Sequence, residues 1–216
     1  MSQSIAVLLV DDHAVVREGY KKLLERSGDI AVVGEAATVA EAYELASKLD
    51  PKVVVMDIAL PGASGIEGLR RIRSRQPDAR VLMFSMYADA IFARRALDAG
   101  ASGYLTKASA PEVLVEAVRA VARNERYLSR DIAQAMALQP DTDQPGFIAE
   151  LSPREYEVLR LWMQGLNLND IAANLKLSQK TVANHQSSIK QKLHADTAAQ
   201  LWRNAIKLGL VPDSVI

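Results

Sequence analysis

Five short apolar runs alternate with five amphipathic stretches between Ile5 and Arg123, and this alternation decides most of what the chain can fold into. The runs are IAVLLV at 5–10, IAVVGEA at 30–36, KVVVMD at 52–57, RVLMFSM at 80–86 and GYL at 103–105. Segments 14–26, 39–49, 66–75, 89–99 and 112–123 lie between or after them. Their apolar residues recur at three- and four-residue spacing, as Val113, Leu114, Ala117, Val118 and Val121 do, which is the period of an amphipathic helix. Strands connected through helices pair in parallel, and a parallel sheet is covered on both faces, so its strands are apolar on both sides. The expected fold for residues 4–123 is therefore an α/β domain with a doubly wound five-stranded parallel sheet. In such sheets ligands sit beyond the carboxyl ends of the strands, where strand order reverses.

The rhythm breaks at residue 124. NERYLSRDIAQAMALQ can continue as a short helix, but QPDTDQPGF is polar and contains Pro140, Pro145 and Gly146, so 124–148 is taken as a linker. A second domain is expected over 149–212. It opens with LSPREYEVL, where Ser152 as N-cap, Pro153 at the first helical position and Glu155 three residues after the cap form a capping box. Helices are expected at 153–164, 168–175, 179–193 and 197–208, with Gly165 and Gly209 closing two of them.

Bulk composition narrows the function. Apolar residues make up 49% of the chain, enough to build cores in both halves. There is no cysteine, which excludes disulfides and thiolate metal sites. No run approaches the roughly 18 apolar residues of a membrane span. MSQSIAVLLV has neither a basic n-region nor a small-residue cleavage site, so no secretory leader is expected and the protein is read as cytoplasmic. Net charge is zero overall, but residues 171–212 carry six Lys and Arg against the single Asp196. That local excess suits a polyanion.

Strand ends carry the candidate chemistry. Asp11 and Asp12 follow the first strand and Asp57 ends the third. With those strands adjacent, in the order 2-1-3-4-5, three carboxylates converge and require a cation among them. A few hard oxygen donors suit Mg²⁺, which keeps several waters and is commonly shared with a phosphate. The fourth strand ends at Ser85, a hydroxyl able to hydrogen-bond a phosphoryl oxygen. The fifth leads into Lys107, whose ammonium can pair with a phosphate.

LLVDDH, VVVMDIALPGASG, LMFSM and SGYLTK resemble, in order and spacing, the flavodoxin-like receiver domain of bacterial two-component response regulators. The resemblance implies that Asp57 accepts a phosphoryl group from a sensor histidine kinase. It also implies that Asp11, Asp12, Asp57 and the backbone carbonyl of Ala59 hold Mg²⁺. Ser85 and Lys107 then contact the phosphoryl group, and Tyr104 is the aromatic switch that turns inward as Ser85 moves. Pro61 and Gly65 match the loop after the acceptor. A phosphatase of the haloacid dehalogenase type also uses an aspartate nucleophile with Mg²⁺, but it needs a second acid two residues on. Ala59 stands there, so an enzyme acting on a separate substrate is not expected.

LSPRE, QGL, DIAANL, the cap at Ser178, KTVANH and the closing GLV at 209–211 resemble the LuxR-type helix-turn-helix module of the NarL/FixJ response regulators. Val182, Ile189 and Leu193 are expected to pack the second motif helix from beneath. Gln179, Lys180, Thr181, Asn184, His185, Ser188 and Lys192 are then available to face double-stranded DNA. Ala183 and Ala198 replace basic residues common at those positions, so a monomer is expected to bind weakly and a homodimer formed on phosphorylation to compensate. The reading is a phosphorylation-regulated transcriptional regulator; the alternative is a receiver whose helical domain serves as a protein adaptor.

Overall fold

The structure is a computed structural model and describes residues 4–138, 151–175, 177–195 and 197–207. Two compact units divide the chain, Met1–Pro140 and Asp141–Ile216. No helix among the described residues is long and apolar enough to cross a membrane.

In the first unit the apolar runs become β1 (Ile5–Val10), β2 (Ile30–Ala36), β3 (Val53–Met56), β4 (Val81–Ser85) and β5 (Gly103–Thr106). The stretches between them are α1 (Ala14–Glu25), α2 (Val39–Leu49), α3 (Gly65–Arg75) and α4 (Ala90–Asp98), and α5 (Pro111–Ala122) follows β5. Thr38, Ser64 and Asp89 cap α2, α3 and α4 by accepting first-turn N–H groups, which fixes where those helices start. Every strand pairing is parallel. Val53 to Met56 are all buried, as a strand covered on both faces must be. On one face Val7, Leu9, Val55, Leu82 and Phe84 pack against Leu24 of α1 and Leu114, Val118 and Val121 of α5.

The sheet has six strands where five were expected, in the order β2-β1-β3-β4-β5-β6. The added strand is β6 (Tyr127–Leu128), and α6 (Arg130–Leu138) follows it. Both lie in the span read above as linker, and both belong to the first unit. The physical reason lies in β5. Gly103 has no side chain, and a Cβ there would lie 2.5 Å from the carbonyl oxygen of Tyr127, so only glycine lets the returning chain approach. Ile132 then buries fully. Residues 139–150, with Pro140, Pro145 and Gly146, lie outside the described residues.

The second unit contains α7 (Pro153–Met163), α8 (Leu168–Leu175), α9 (Gln179–Lys192) and α10 (Ala198–Lys207). The capping box at Ser152 and Glu155 is present. Gly165 ends the first turn-and-helix unit at φ 86°, a left-handed conformation that favours glycine. Ser178 accepts the N–H of Thr181 at 3.1 Å and starts α9. Leu159, Ile171, Val182, Ile189 and Leu193 form the buried interior. Gly209 and the GLV at 209–211 lie outside the described residues.

Candidate functional site

Register places the acids. Val10 of β1 pairs with Met56 of β3, and the N–H of Asp57 donates to the carbonyl of Val10 at 2.9 Å. Asp11 and Asp57 therefore leave neighbouring strands at the same level. Both are buried, with Asp11 2% and Asp57 4% exposed. Lys107 Nζ lies 2.5 Å from Asp11 Oδ2 and 2.5 Å from Asp57 Oδ2. Burial works against the charge of Lys107, but Asp57 and Asp11 outweigh it and raise its pKa above the ordinary lysine value. An ammonium held by two buried carboxylates shows what the pocket wants, which is positive charge.

Asp12 is partly exposed at the rim. Its Oδ1 lies 2.7 Å from His13 Nδ1. Among the described residues, the ligand atoms of Asp11, Asp12 and His13 all fall within 4.8 Å of one another. Asp57 stands outside that group and joins Asp11 through Lys107. The donor set is oxygen-rich and hard, which fits a divalent cation such as Mg²⁺ better than a soft transition metal. The N–H of Ala59 donates to Asp57 Oδ1 at 3.2 Å, so the loop after Asp57 folds back on its carboxylate. Gly65 makes that fold possible: a Cβ there would sit 1.9 Å from the carbonyl oxygen of Asp57.

Ser85 is fully buried at the end of β4 and pairs in register with Thr106. Its carbonyl accepts the N–H of Lys107 at 2.8 Å. Tyr104 is also fully buried, and its hydroxyl donates to the carbonyl of Tyr87 at 2.7 Å. Burial pushes its phenol pKa well above the ordinary range. The ring is thus inward in this structure.

Two residues of the site escaped the reading of the sequence. Arg17 Nη1 donates to the carbonyl of Asp11 at 2.5 Å, and its Nε donates to Glu35 Oε2 at 3.2 Å. Lys21 steadies the same Glu35 at 2.8 Å. Together they brace the turn that carries Asp11 and Asp12. A weak signal existed: α1 has no acid in its first turn and a base at its fourth position, against the preference set by the helix dipole.

The second site is α9. Gln179, Lys180 and Asn184 are exposed, and Thr181 and His185 are half-buried. The Thr181 hydroxyl is 2.7 Å from that of Ser178. Ser188 and Lys192, also expected to face DNA, both reach Glu155 of α7. Ser188 Oγ donates to Glu155 Oε1 and Lys192 Nζ to Glu155 Oε2, each at 2.6 Å. Glu155 is 5% exposed; a buried carboxylate needs such partners. Burial raises its pKa, but Lys192, Ser188 and the Ser152 N–H outweigh burial and hold it below the ordinary glutamate value. The exposed stripe instead runs through Lys180, Asn184, Ser187 and Gln191, at the four-, three- and four-residue spacing of one helix face.

Comparison with known proteins gives the family of each half of the chain. Residues 7–119 match the family described as response regulator receiver domain, and residues 149–205 match the bacterial regulatory proteins, luxR family. The transcriptional activator protein ExaE of Pseudomonas putida is 40% identical over 210 residues, covering 96% of this chain and 98% of its own. The crystal structure of a LuxR-family two-component response regulator from Aurantimonas sp. SI85-9A1 is 48% identical with a TM-score of 0.62, over 63% of this chain and 97% of that one. A structure of the response regulator RcsB in complex with DNA is 26% identical with a TM-score of 0.61, over 95% of this chain and 100% of that one.

Proposed function

Since this chain belongs to the two-component response regulators that join a receiver domain to a LuxR-family module, we propose that Asp57 is its phosphoacceptor. The chain is a DNA-binding transcriptional regulator controlled by phosphorylation, and Asp57 is where control enters. An oxygen of its carboxylate attacks the phosphorus of a phosphohistidine on a sensor kinase, the P–N bond breaks, and the electron pair and a proton end on the imidazole. Asp11, Asp12, Asp57 and the Ala59 carbonyl would hold Mg²⁺, which when bound neutralises the phosphoryl oxygens. Lys107 pairs with the new phosphoryl group, and Ser85 donates its hydroxyl to a phosphoryl oxygen. The chain acts on no separate substrate: Ala59 supplies no acid or base for rapid hydrolysis.

One observation carries this reading. Two carboxylates 46 positions apart in sequence, Asp11 and Asp57, are buried side by side on one lysine at 2.5 Å each. Two buried carboxylates against one ammonium leave net negative charge in the pocket, which supports a site for a further cation. The DNA-binding surface is the exposed stripe on α9, with Lys180 on phosphate or guanine and Asn184 on a base edge. A homodimer places two such helices on neighbouring half-sites.

Incubation with acetyl phosphate and Mg²⁺ tests the assignment. Intact mass should rise by one phosphoryl group in the natural chain and stay unchanged in Asp57→Ala. Label on the mutant would move the acceptor elsewhere. The phosphorylated full chain should retain duplex DNA with affinity that falls as salt rises; retention of protein partners alone would favour the adaptor reading.

A further inference from the structure

The strand that leads into Lys107 also holds the polypeptide that leaves the receiver. Lys107 reaches Asp11 and Asp57. The residue before it, Thr106, donates its hydroxyl to Asp131 Oδ2 at 2.7 Å, in the first turn of α6, and lies 3.1 Å from Ser109 Oγ. The rest of residues 127–138 is fastened at four further points. β6 pairs in parallel with β5, with Gly103 opposite Tyr127 and Tyr104 opposite Leu128. The N–H of Ser129 donates to the carbonyl of Tyr104 at 3.1 Å. Ile132 is fully buried. Arg94 of α4 donates to the carbonyl of Met136 at 2.9 Å.

We infer that the α4–β5 edge of the receiver is a docking surface for the chain's own β6–α6 segment, and that the state of Asp57 sets its occupancy through the Thr106–Asp131 bond. The inference rests on Asp57 being the phosphoacceptor. Thr106 is the point where the two are joined: its backbone pairs with Ser85, and the next residue's N–H donates to the Ser85 carbonyl at 2.8 Å. A phosphoryl group on Asp57 stands between that carboxylate and Lys107, so the 2.5 Å contact to Asp57 Oδ2 is given up. The Ser85 hydroxyl is drawn toward the phosphoryl oxygens at the same time. Both movements act on the backbone of Thr106 and re-aim its side chain. Asp131 is exposed, so water takes the place of the lost hydroxyl, and the first turn of α6 loosens. By thermodynamic reciprocity, a segment that undocks on phosphorylation disfavours the phosphorylated state while it stays docked.

Hydrogen–deuterium exchange of the full chain, with and without acetyl phosphate and Mg²⁺, reads the segment directly. In the natural chain, phosphorylation should speed exchange of the amides of residues 129–136 by about tenfold, the scale of one lost charge-assisted bond. In Asp131→Ala those amides should exchange fast before phosphorylation and change little after it, while β1 and β3 stay protected. Mass labelling at Asp57 should persist in the variant. A labelled natural chain whose 129–136 amides do not change would overturn the inference alone, as would Asp131→Ala exchanging like the natural chain. Absence of label on Asp57 in the natural chain would overturn the phosphoacceptor assignment and this inference with it.

Discussion

Replacing Glu155 by alanine should unfold the DNA-binding unit at far lower denaturant while sparing the receiver. The carboxylate accepts the N–H of Ser152, the hydroxyl of Ser188 and the ammonium of Lys192, each at 2.6 Å. Hydrogen bonds to a charged group contribute about 1.5–3 kcal/mol each. Lys192 is one-third exposed and regains water, as does an N-terminal N–H, so the expected loss is about 3 kcal/mol. A unit of this size has roughly 3–9 kcal/mol in all. With a urea dependence of about 1 kcal/mol per molar, the midpoint falls by some molar units. Trp162 and Trp202 are the only tryptophans in the chain, so selectively excited tryptophan emission follows this unit and not the receiver. The pH dependence has a defined sign. Glu155 titrates below its ordinary value, so its contribution is complete above the ordinary glutamate pKa and is lost as pH falls through the lowered one. The natural and Glu155→Ala midpoints should therefore converge in acid. Lys192→Ala should lower the midpoint and leave the slope of log K against log salt unchanged, whereas Lys180→Ala should reduce that slope by about 1 at constant midpoint. A Lys192→Ala chain of full stability with a flatter salt slope would put this ammonium on DNA and refute the reasoning.

Three other perturbations bear on the receiver. Arg17→Ala frees the turn that carries Asp11 and Asp12, and calorimetry on the unphosphorylated chain should show Mg²⁺ affinity falling on the order of tenfold; lower stability with unchanged affinity would limit Arg17 to a structural brace. Gly65→Ala forces a Cβ to within 1.9 Å of the Asp57 carbonyl oxygen. It should cost about 3 kcal/mol by far-ultraviolet circular dichroism and slow acetyl phosphate labelling on the order of tenfold or more; labelling at the natural rate would show that the loop relaxes freely. Asp29 is held at about 2 by the Arg119 guanidinium, with Ser27 assisting. Its contribution is complete above the ordinary aspartate range and is lost as pH falls toward 2. Both partners are well exposed, so Asp29→Asn should cost under about 1 kcal/mol, and a deficit that does not shrink between pH 6 and 3 would contradict the pairing.

What the sequence disclosed and what it hid follow from the range of the interactions involved. The parallel sheet was legible because burial on both faces leaves a mark on every residue of a strand, as VVVM in β3 shows. Asp11, Asp57, Ser85 and Lys107 were legible because each stands at a strand end, where the fold class alone fixes its location. β6 was not: two residues carry no period, and the feature that admits them is the missing side chain of Gly103, 24 positions earlier. Glu155 was legible as a local cap, but its bonds to Ser188 and Lys192 join helices more than thirty residues apart. From α9 alone, Ser188 and Lys192 flank the apolar stripe and look as outward as Ser187 and Gln191. Only the position of a buried acid on another helix separates the two pairs.

On the proposed function, charge balance makes the receiver site a switch and not a store. Asp11, Asp12 and Asp57 against Lys107 leave two uncompensated negative charges, which one divalent cation offsets. On the reading that Asp57 accepts a phosphoryl group, a carboxylate of one charge becomes a group carrying about −2. The excess must then be met by whatever else can approach. Arg17 is spent on the Asp11 carbonyl and Glu35, and His13 faces Asp12 at the exposed rim. What remains are neutral donors, the hydroxyl of Ser85 and the N–H of Ala59, and neutral dipoles act only at short range. They must therefore move to the phosphoryl group. Had a second fixed cation stood in the pocket, the phosphoryl group would have been accommodated where it formed, with no reason for β4 or β5 to shift. Compensation by a serine hydroxyl at one strand end and a lysine after the next makes displacement of the strand ends a condition of stabilising the phosphorylated state, and at the second of them Thr106 is bonded to Asp131 of α6.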